Sequence, residues 1–160
     1  MKEKEKVCGK LGSQPQIVDS FLEHPNFTRF SADELKLFTS QCKTKTLSAG
    51  DLLFSEGDLG LSMFIVKKGG IKILKMGFLG ETAIAQVNAG EFVGEMAVID
   101  GSPRSATAKA IAHTELLELS QDGFITLKKE TPGVAIKLMD LLLRLLSLRL
   151  RSTTARMLKK

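Results

Sequence analysis

Cysteine and histidine are scarce in this 160-residue chain, with two of each. Cys8 and Cys42 are too few and too unpatterned for a disulfide framework or a thiolate metal site, which fits a reducing compartment. His24 and His113 stand on segments far apart in the pattern, so the clustered histidines and carboxylates of a metal-dependent enzyme are missing and no metal ligands are expected. His24, next to Pro25, reads as a surface turn residue. Long hydrophobic runs are lacking at the start: Met1 to Lys6 alternates Lys and Glu with no apolar stretch after it. That pattern argues against a signal peptide or a membrane span and leaves the cytoplasm as the expected location. The length suits one domain with a sizeable core rather than two ordinary ones.

What the chain does contain is the balance of a folded, soluble protein, 43% hydrophobic and 26% charged. Its net charge of +5 owes much to Arg144, Arg149, Arg151, Arg156, Lys159 and Lys160 near the end. We read those cations as the solvated terminus of a helix whose dipole they suit, with no group placed to read DNA bases. Residues 1–13 carry charge, two glycines and few apolar side chains, so a flexible arm is expected ahead of a domain over residues 14–160.

Within that domain Ile17, Val18, Phe21 and Leu22 recur at helical spacing and predict a short helix ending near His24-Pro25. Ser31 and Glu34 have the form of a capping box, and the helix they open runs to about Cys42, packing through Leu35, Leu37 and Phe38. From residue 43 to about 120 the pattern becomes short alternating segments separated by glycine-containing turns, as an all-β barrel or jelly roll requires. Strands are expected near 44–47, 52–55, 62–67, 71–76, 82–88, 105–112 and 115–119. Two helices over about 121–158 follow, one from Ser120 to about Glu130 and a long one from about Pro132. Along the long helix Val134, Leu138, Leu141, Leu145 and Leu148 step by four and three, with Met139, Leu142, Leu146 and Leu150 beside them. One stripe can cover the roll; the other then asks for a partner, and a homodimer through this helix is expected.

The chemistry is concentrated in Gly94 to Ala110, GEMAVIDGSPRSATAKA. Gly94 lets the backbone approach a ligand, Glu95 offers an acceptor for sugar hydroxyls, and Met96 to Ile99 form a short apolar turn of helix whose N–H groups can face an anion. Pro103 closes the bend, and Arg104 presents a planar, permanently charged fork shaped for paired phosphate oxygens. Ser105 and Thr107 lead back into a strand. A carboxylate and a guanidinium on either side of a mini-helix suit a ligand with a hydroxyl at one edge and a phosphate at the other.

This segment resembles the phosphate-binding cassette of the cyclic nucleotide-binding domains of catabolite activator proteins, protein kinase A regulatory subunits and cyclic nucleotide-gated channels. Gly94-Glu95-Met96-Ala97-Val98 is similar to the family's G-E-L-A-L, and Pro103-Arg104-Ser105-Ala106-Thr107 to its P-R-x-A-T or R-S-A. Val93 departs from the aromatic or Ile that usually precedes the glycine. Gly57-Asp58, Phe64-Ile65-Val66 and Gly69 also resemble the family's strands, and Leu150-Arg151-Ser152-Thr153-Thr154 looks like the part of the long helix that meets the adenine in catabolite activator proteins.

The resemblance implies a mainly β jelly roll, a double-stranded β-helix with short N-terminal helices, a cassette mini-helix and a long C-terminal helix. It implies a regulatory module with no catalytic residues that binds cyclic AMP, with cyclic GMP less favoured because Ser105 stands where binders of cyclic GMP often carry Thr. The implied ligand contacts are Gly94, Glu95 to the ribose 2′-OH, Met96, Ala97, Arg104 to the exocyclic phosphate oxygens, Ser105, Ala106, and Thr153 and Thr154 to the base. Few residues follow Thr154, so no helix-turn-helix is expected within this chain. The competing reading keeps the fold and the dimer helix as a structural module that binds no nucleotide, and the downstream partner is left open.

Overall fold

The computed structural model describes residues 15–157, so the expected arm at 1–13 and Cys8 lie outside the described residues. Helix α1 (Pro15–Leu22), a short 3-10 turn (Pro25–Phe27) and helix α2 (Ala32–Ser40) come first. His24 caps the 3-10 turn by accepting from the Asn26 N–H through Nδ1, a turn role as expected. Both halves of the capping box form: the Glu34 N–H donates to the Ser31 hydroxyl at 3.2 Å and the Ser31 N–H to the Glu34 carboxylate at 2.8 Å.

Eight strands follow: β1 (Cys42–Leu47), β2 (Leu52–Phe54), β3 (Ser62–Lys68), β4 (Gly70–Gly77), β5 (Gly80–Asn88), β6 (Phe92–Val93), β7 (Thr107–Ala110) and β8 (Thr114–Ser120). They form two four-stranded antiparallel sheets, in the orders β1-β8-β3-β6 and β2-β7-β4-β5, with helix α3 (Glu95–Asp100) between β6 and β7. This is the expected jelly roll with flanking helices. The expected strand at 105–112 is shorter, because Ser105 and Ala106 stay in the loop after α3.

Two apolar clusters hold the molecule. Phe64, Val66, Ile71, Val87, Ala108 and Leu116 fill the space between the sheets. A larger cluster on the other side of the first sheet joins Met63, Ile65 and Leu117 to Phe27, Phe38, Leu127 and Leu138 from the helices. Thus β3 serves both cores, its side chains alternating between them as the two-residue strand period requires.

Helix α4 (Gln121–Glu130) is capped by the Ser120 hydroxyl and leads to α5 (Pro132–Met157), 26 residues long. The apolar stripes of α5 do not divide as the spacing suggests. Leu142 of the second stripe is buried together with Val134, Leu138, Leu141 and Leu145, whereas Leu148 of the first is 57% exposed. The core takes an arc wider than one seam, since α5 packs against both α2 and α4. Of the exposed apolar residues, Ile136, Leu143, Leu150 and Met157 step by seven, with Leu148 beside them.

Candidate functional site

Gly94 caps α3 with φ +76°, left-handed backbone that glycine adopts without steric cost. A Cβ there would lie 2.4 Å from Arg104 Nη1, so the glycine also makes room for the guanidinium. Gly60 does the same from the β2–β3 loop, where a Cβ would fall 2.1 Å from the Ala97 Cβ and 3.1 Å from Arg104 Cζ. The loop fastens Arg104 by its backbone too: Gly57 N–H donates to the Arg104 carbonyl and Arg104 N–H to the Asp58 carbonyl, both at 2.8 Å.

Arg104 is only 6% exposed. Nη1 donates to the Gly94 carbonyl and Nη2 to the Ser62 carbonyl, each at 2.6 Å, and Cζ stands 4.3 Å from the centre of the Phe54 ring. Its Nε is buried and has no hydrogen-bond partner. Among the described residues no carboxylate makes an ion pair with this guanidinium. Burial pushes its pKa below the usual arginine value, while the charges of Glu95, Asp58 and Glu118 act the other way. The side chain is thus a buried cation held by neutral carbonyls and a π face, with a donor to spare, a state that favours an incoming anion.

Glu95 is 4% exposed. Its Oε1 accepts from Arg149 Nη1 at 2.9 Å, and Arg149 Nη2 donates to the Phe92 carbonyl. The long helix therefore reaches the cassette through Arg149, a residue that reads in the sequence as one more solvated cation. Its signal was its distance from Thr153: residues four apart share a helix face, so the face expected to meet the ligand also carries Arg149. Seven residues on, Arg156 Nη1 donates to the Ile84 carbonyl at 3.2 Å. The β4–β5 register shifts there, with Ile73 opposite Ala85 and Leu74 opposite Ala83, so Ile84 is the extra residue of a bulge.

The remaining expected residues divide. Ala97, which with Arg104 crowds the space at Gly60, and Ala106 are buried, while Met96 is 50% exposed. The exposed Ser105 hydroxyl donates to Met96 Sδ at 3.9 Å, and the Ser105 carbonyl accepts from Lys75 Nζ at 2.7 Å. Lys75 is also paired with Glu56 at 2.5 Å, so a β4 side chain braces the loop after Arg104. Thr153 and Thr154 are exposed, and their hydroxyls donate to the Arg149 and Leu150 carbonyls at 2.9 and 3.0 Å. The structure thus brings Gly94, Glu95, Ala97 and Arg104 together, buries Ala106 in the loop that follows, and leaves the two threonines bonded to their own helix. Among the described residues no group of three or more His, Cys, Asp or Glu could hold a metal ion, and no helix is long and apolar enough to cross a membrane.

The fold is a jelly roll in which a buried arginine, without an ion-pair partner among the described residues, lies beside a glycine-capped mini-helix. The family model for the cyclic nucleotide-binding domain matches residues 44–131, and the chain belongs to that family. It is 33% identical over 121 residues to the cyclic AMP receptor protein of Thermus thermophilus, covering 75% of this chain and 56% of that one. It is 27% identical over 124 residues to the cAMP-dependent protein kinase regulatory subunit of Mycosarcoma maydis, covering 74% of this chain and 24% of that one. The chain therefore spans about half the length of the first relative and a quarter of the second. Among solved structures, a cyclic nucleotide-binding domain from Methylobacillus flagellatus is similar with a TM-score of 0.84 and 32% identity, covering 92% of this chain and 86% of that one. The family's domain is regulatory and generally not catalytic.

Proposed function

We propose that this protein is a cyclic nucleotide sensor that binds cyclic AMP in preference to cyclic GMP and relays occupancy to α5, through which two copies associate. The observation that carries the reading is Arg104: a buried guanidinium with no ion-paired carboxylate and a free Nε donor. In this reading the phosphate oxygens bond to Arg104, helped by the Ser105 hydroxyl. A ribose hydroxyl donates to Glu95, of which only Oε1 is taken by Arg149. Gly94, Met96, Ala97 and Ala106 line the ligand, and Thr153 and Thr154 turn from their own helix to the base. The two named relatives, a cyclic AMP receptor protein and a cAMP-dependent kinase regulatory subunit, support cyclic AMP as the ligand.

Two charge-assisted anchors of roughly 1.5–3 kcal/mol each are compatible with a micromolar complex, about −8 kcal/mol. Calorimetric titration with cyclic AMP and cyclic GMP tests this: we expect saturation at one nucleotide per chain, with cyclic AMP the tighter. No heat from either would return the molecule to a structural module. Arg104→Ala should lose the binding and keep the fold; unchanged affinity would remove Arg104 from the site. For the association, Ile136, Leu143, Leu150 and Met157 form a seven-residue repeat suited to a helix-to-helix seam. Leu143→Glu with Leu150→Glu should give a monomer by sedimentation velocity, and a dimer that survives both would place the interface elsewhere.

A further inference from the structure

Away from Arg104, a groove of about 400 Å³ runs between α3, α4 and α5. Val98 and Ile99 of α3, Phe124 and Ile125 of α4, and Leu142 and Leu146 of α5 supply its walls. Met139 and Leu143 of α5 extend the apolar wall, and two polar side chains, Gln121 and Lys128, complete the lining, Lys128 being its one charged member. The Lys128 ammonium stands 4.9 Å from the centre of the Phe124 ring, which places the charge over the apolar wall. Among the described residues no carboxylate forms an ion pair with it. Most ligand sites share this composition, an apolar slot of a few hundred cubic ångströms with one or two polar groups that fix orientation. An apolar wall with a single cation at one end complements a molecule built in the opposite way, a hydrocarbon tail ending in one negative charge.

We propose that this groove binds a medium-chain fatty acid anion, its tail between α4 and α5 and its carboxylate on Lys128. A neutral tail of equal length lacks the charge-assisted bond, and a cationic one meets Lys128 as a like charge, so the order of affinity is carboxylate, alcohol, ammonium. The assignment does not rest on nucleotide binding at Arg104, but it shares Leu143 with the proposed α5 seam, so a second copy seated there competes for the groove.

The test is calorimetric titration of the full chain, free of nucleotide, with decanoate, decan-1-ol and decyltrimethylammonium, the two ions below their micelle concentrations and the alcohol below its solubility limit. We expect decanoate to saturate at one per chain and to bind about tenfold or more tighter than decan-1-ol, the range of one charge-assisted hydrogen bond. Octanoate should bind roughly an order of magnitude more weakly than decanoate, since each buried methylene is worth about fourfold. Lys128→Met should erase the advantage of decanoate over the alcohol, Lys128→Glu should reverse it in favour of the ammonium, and Ile125→Glu should abolish binding of decanoate, with circular dichroism confirming that each variant folds. Absence of saturable decanoate binding overturns the proposal, whether the groove is then open or closed by a second copy, which sedimentation velocity on the same sample reports. Equal affinity for decanoate and decan-1-ol, or unchanged decanoate binding in both Lys128→Glu and Ile125→Glu, overturns it as well.

Discussion

Arg149→Ala removes the partner of a carboxylate that has almost no water of its own. In the Glu95–Arg149 pair the carboxylate side chain is 5% exposed and the guanidinium 35%. Breaking a buried pair from one side costs about 3–5 kcal/mol, mostly because the charge left behind is desolvated. Here the departing partner is partly solvated and its removal admits water from that side, so the expected loss is smaller, about 2 kcal/mol. For a chain of this size that is roughly 4–8 °C in Tm, or about 1 M in the urea midpoint at a slope near 2 kcal/mol/M. Glu95→Gln should cost less, about 1 kcal/mol, because the Arg149 it strands can turn to solvent. The double variant should then recover part of the combined loss, giving a coupling energy of about 1–2 kcal/mol. Urea unfolding of the four proteins, followed by far-ultraviolet circular dichroism, measures all of these. An Arg149→Ala unfolding free energy within about 0.5 kcal/mol of the parent would refute the idea that the buried Glu95 side chain depends on α5 for its partner.

Gly94→Ala combines left-handed backbone, about 1–2 kcal/mol for a residue with a Cβ, with displacement of Arg104. It should lower Tm and abolish the thermal shift given by cyclic AMP, both readable in one melting experiment with and without nucleotide. The Glu34 carboxyl lies below its ordinary value of 4.5, chiefly through its hydrogen bond from Lys137 and next through the Ser31 N–H. Its folded pKa is depressed, so this contribution is present above pH 4.5 and fades as pH falls through the folded value; Lys137→Met should flatten that acid limb of the stability-against-pH curve. Burial pushes the Cys42 thiol up to about 12, so iodoacetamide at pH 8 should leave it unmodified in the folded chain and alkylate it in urea, as peptide mapping by mass spectrometry would show. Leu138, fully buried in the helical core, should cost about 2–5 kcal/mol as Leu138→Ala in chemical denaturation.

Much of this architecture was legible in the residues because it rests on local rules. The Ser31 and Glu34 cap, the glycine turns, the alternating strands and the mini-helix after Gly94 each follow from a few neighbouring side chains, and each is present. Strand β6 was missed because two residues, Phe92 and Val93, are too short to show alternation; they pair with Phe64 and Ile65 only because the chain returns past β3. Gly60 went unmarked for a similar reason. Its backbone is not left-handed, and its role depends on Ala97 and Arg104, some 40 residues away. The partition of α5 was misjudged since spacing alone shows that a helix has apolar faces, and only the packing of α2 and α4 decides which are covered.

Arg149 is the residue whose meaning changes most between the two views, and it bears on how binding could be felt at a distance. Glu95 takes one hydrogen bond from α5 through Oε1, while the Arg149 fork also holds the Phe92 carbonyl of β6, the strand just before the cassette. In the proposed binding mode, a ligand hydroxyl donating to the same carboxylate would draw electron density from the bond to Arg149, and a phosphate on Arg104 would loosen that side chain from the Gly94 carbonyl at the head of α3. Both effects act on the contact between α3 and α5. Differential affinity for two placements of one helix is all that a sensor of this kind requires, and the amount of relay is bounded by the strength of the contacts exchanged. With the expected coupling of about 1–2 kcal/mol in the Glu95–Arg149 pair, occupancy would bias the position of α5 by at most roughly five- to thirtyfold. In the proposed association through α5, that bias is enough to alter the equilibrium and too small to drive it alone, and the exposed seam at Ile136, Leu143, Leu150 and Met157 would supply the rest.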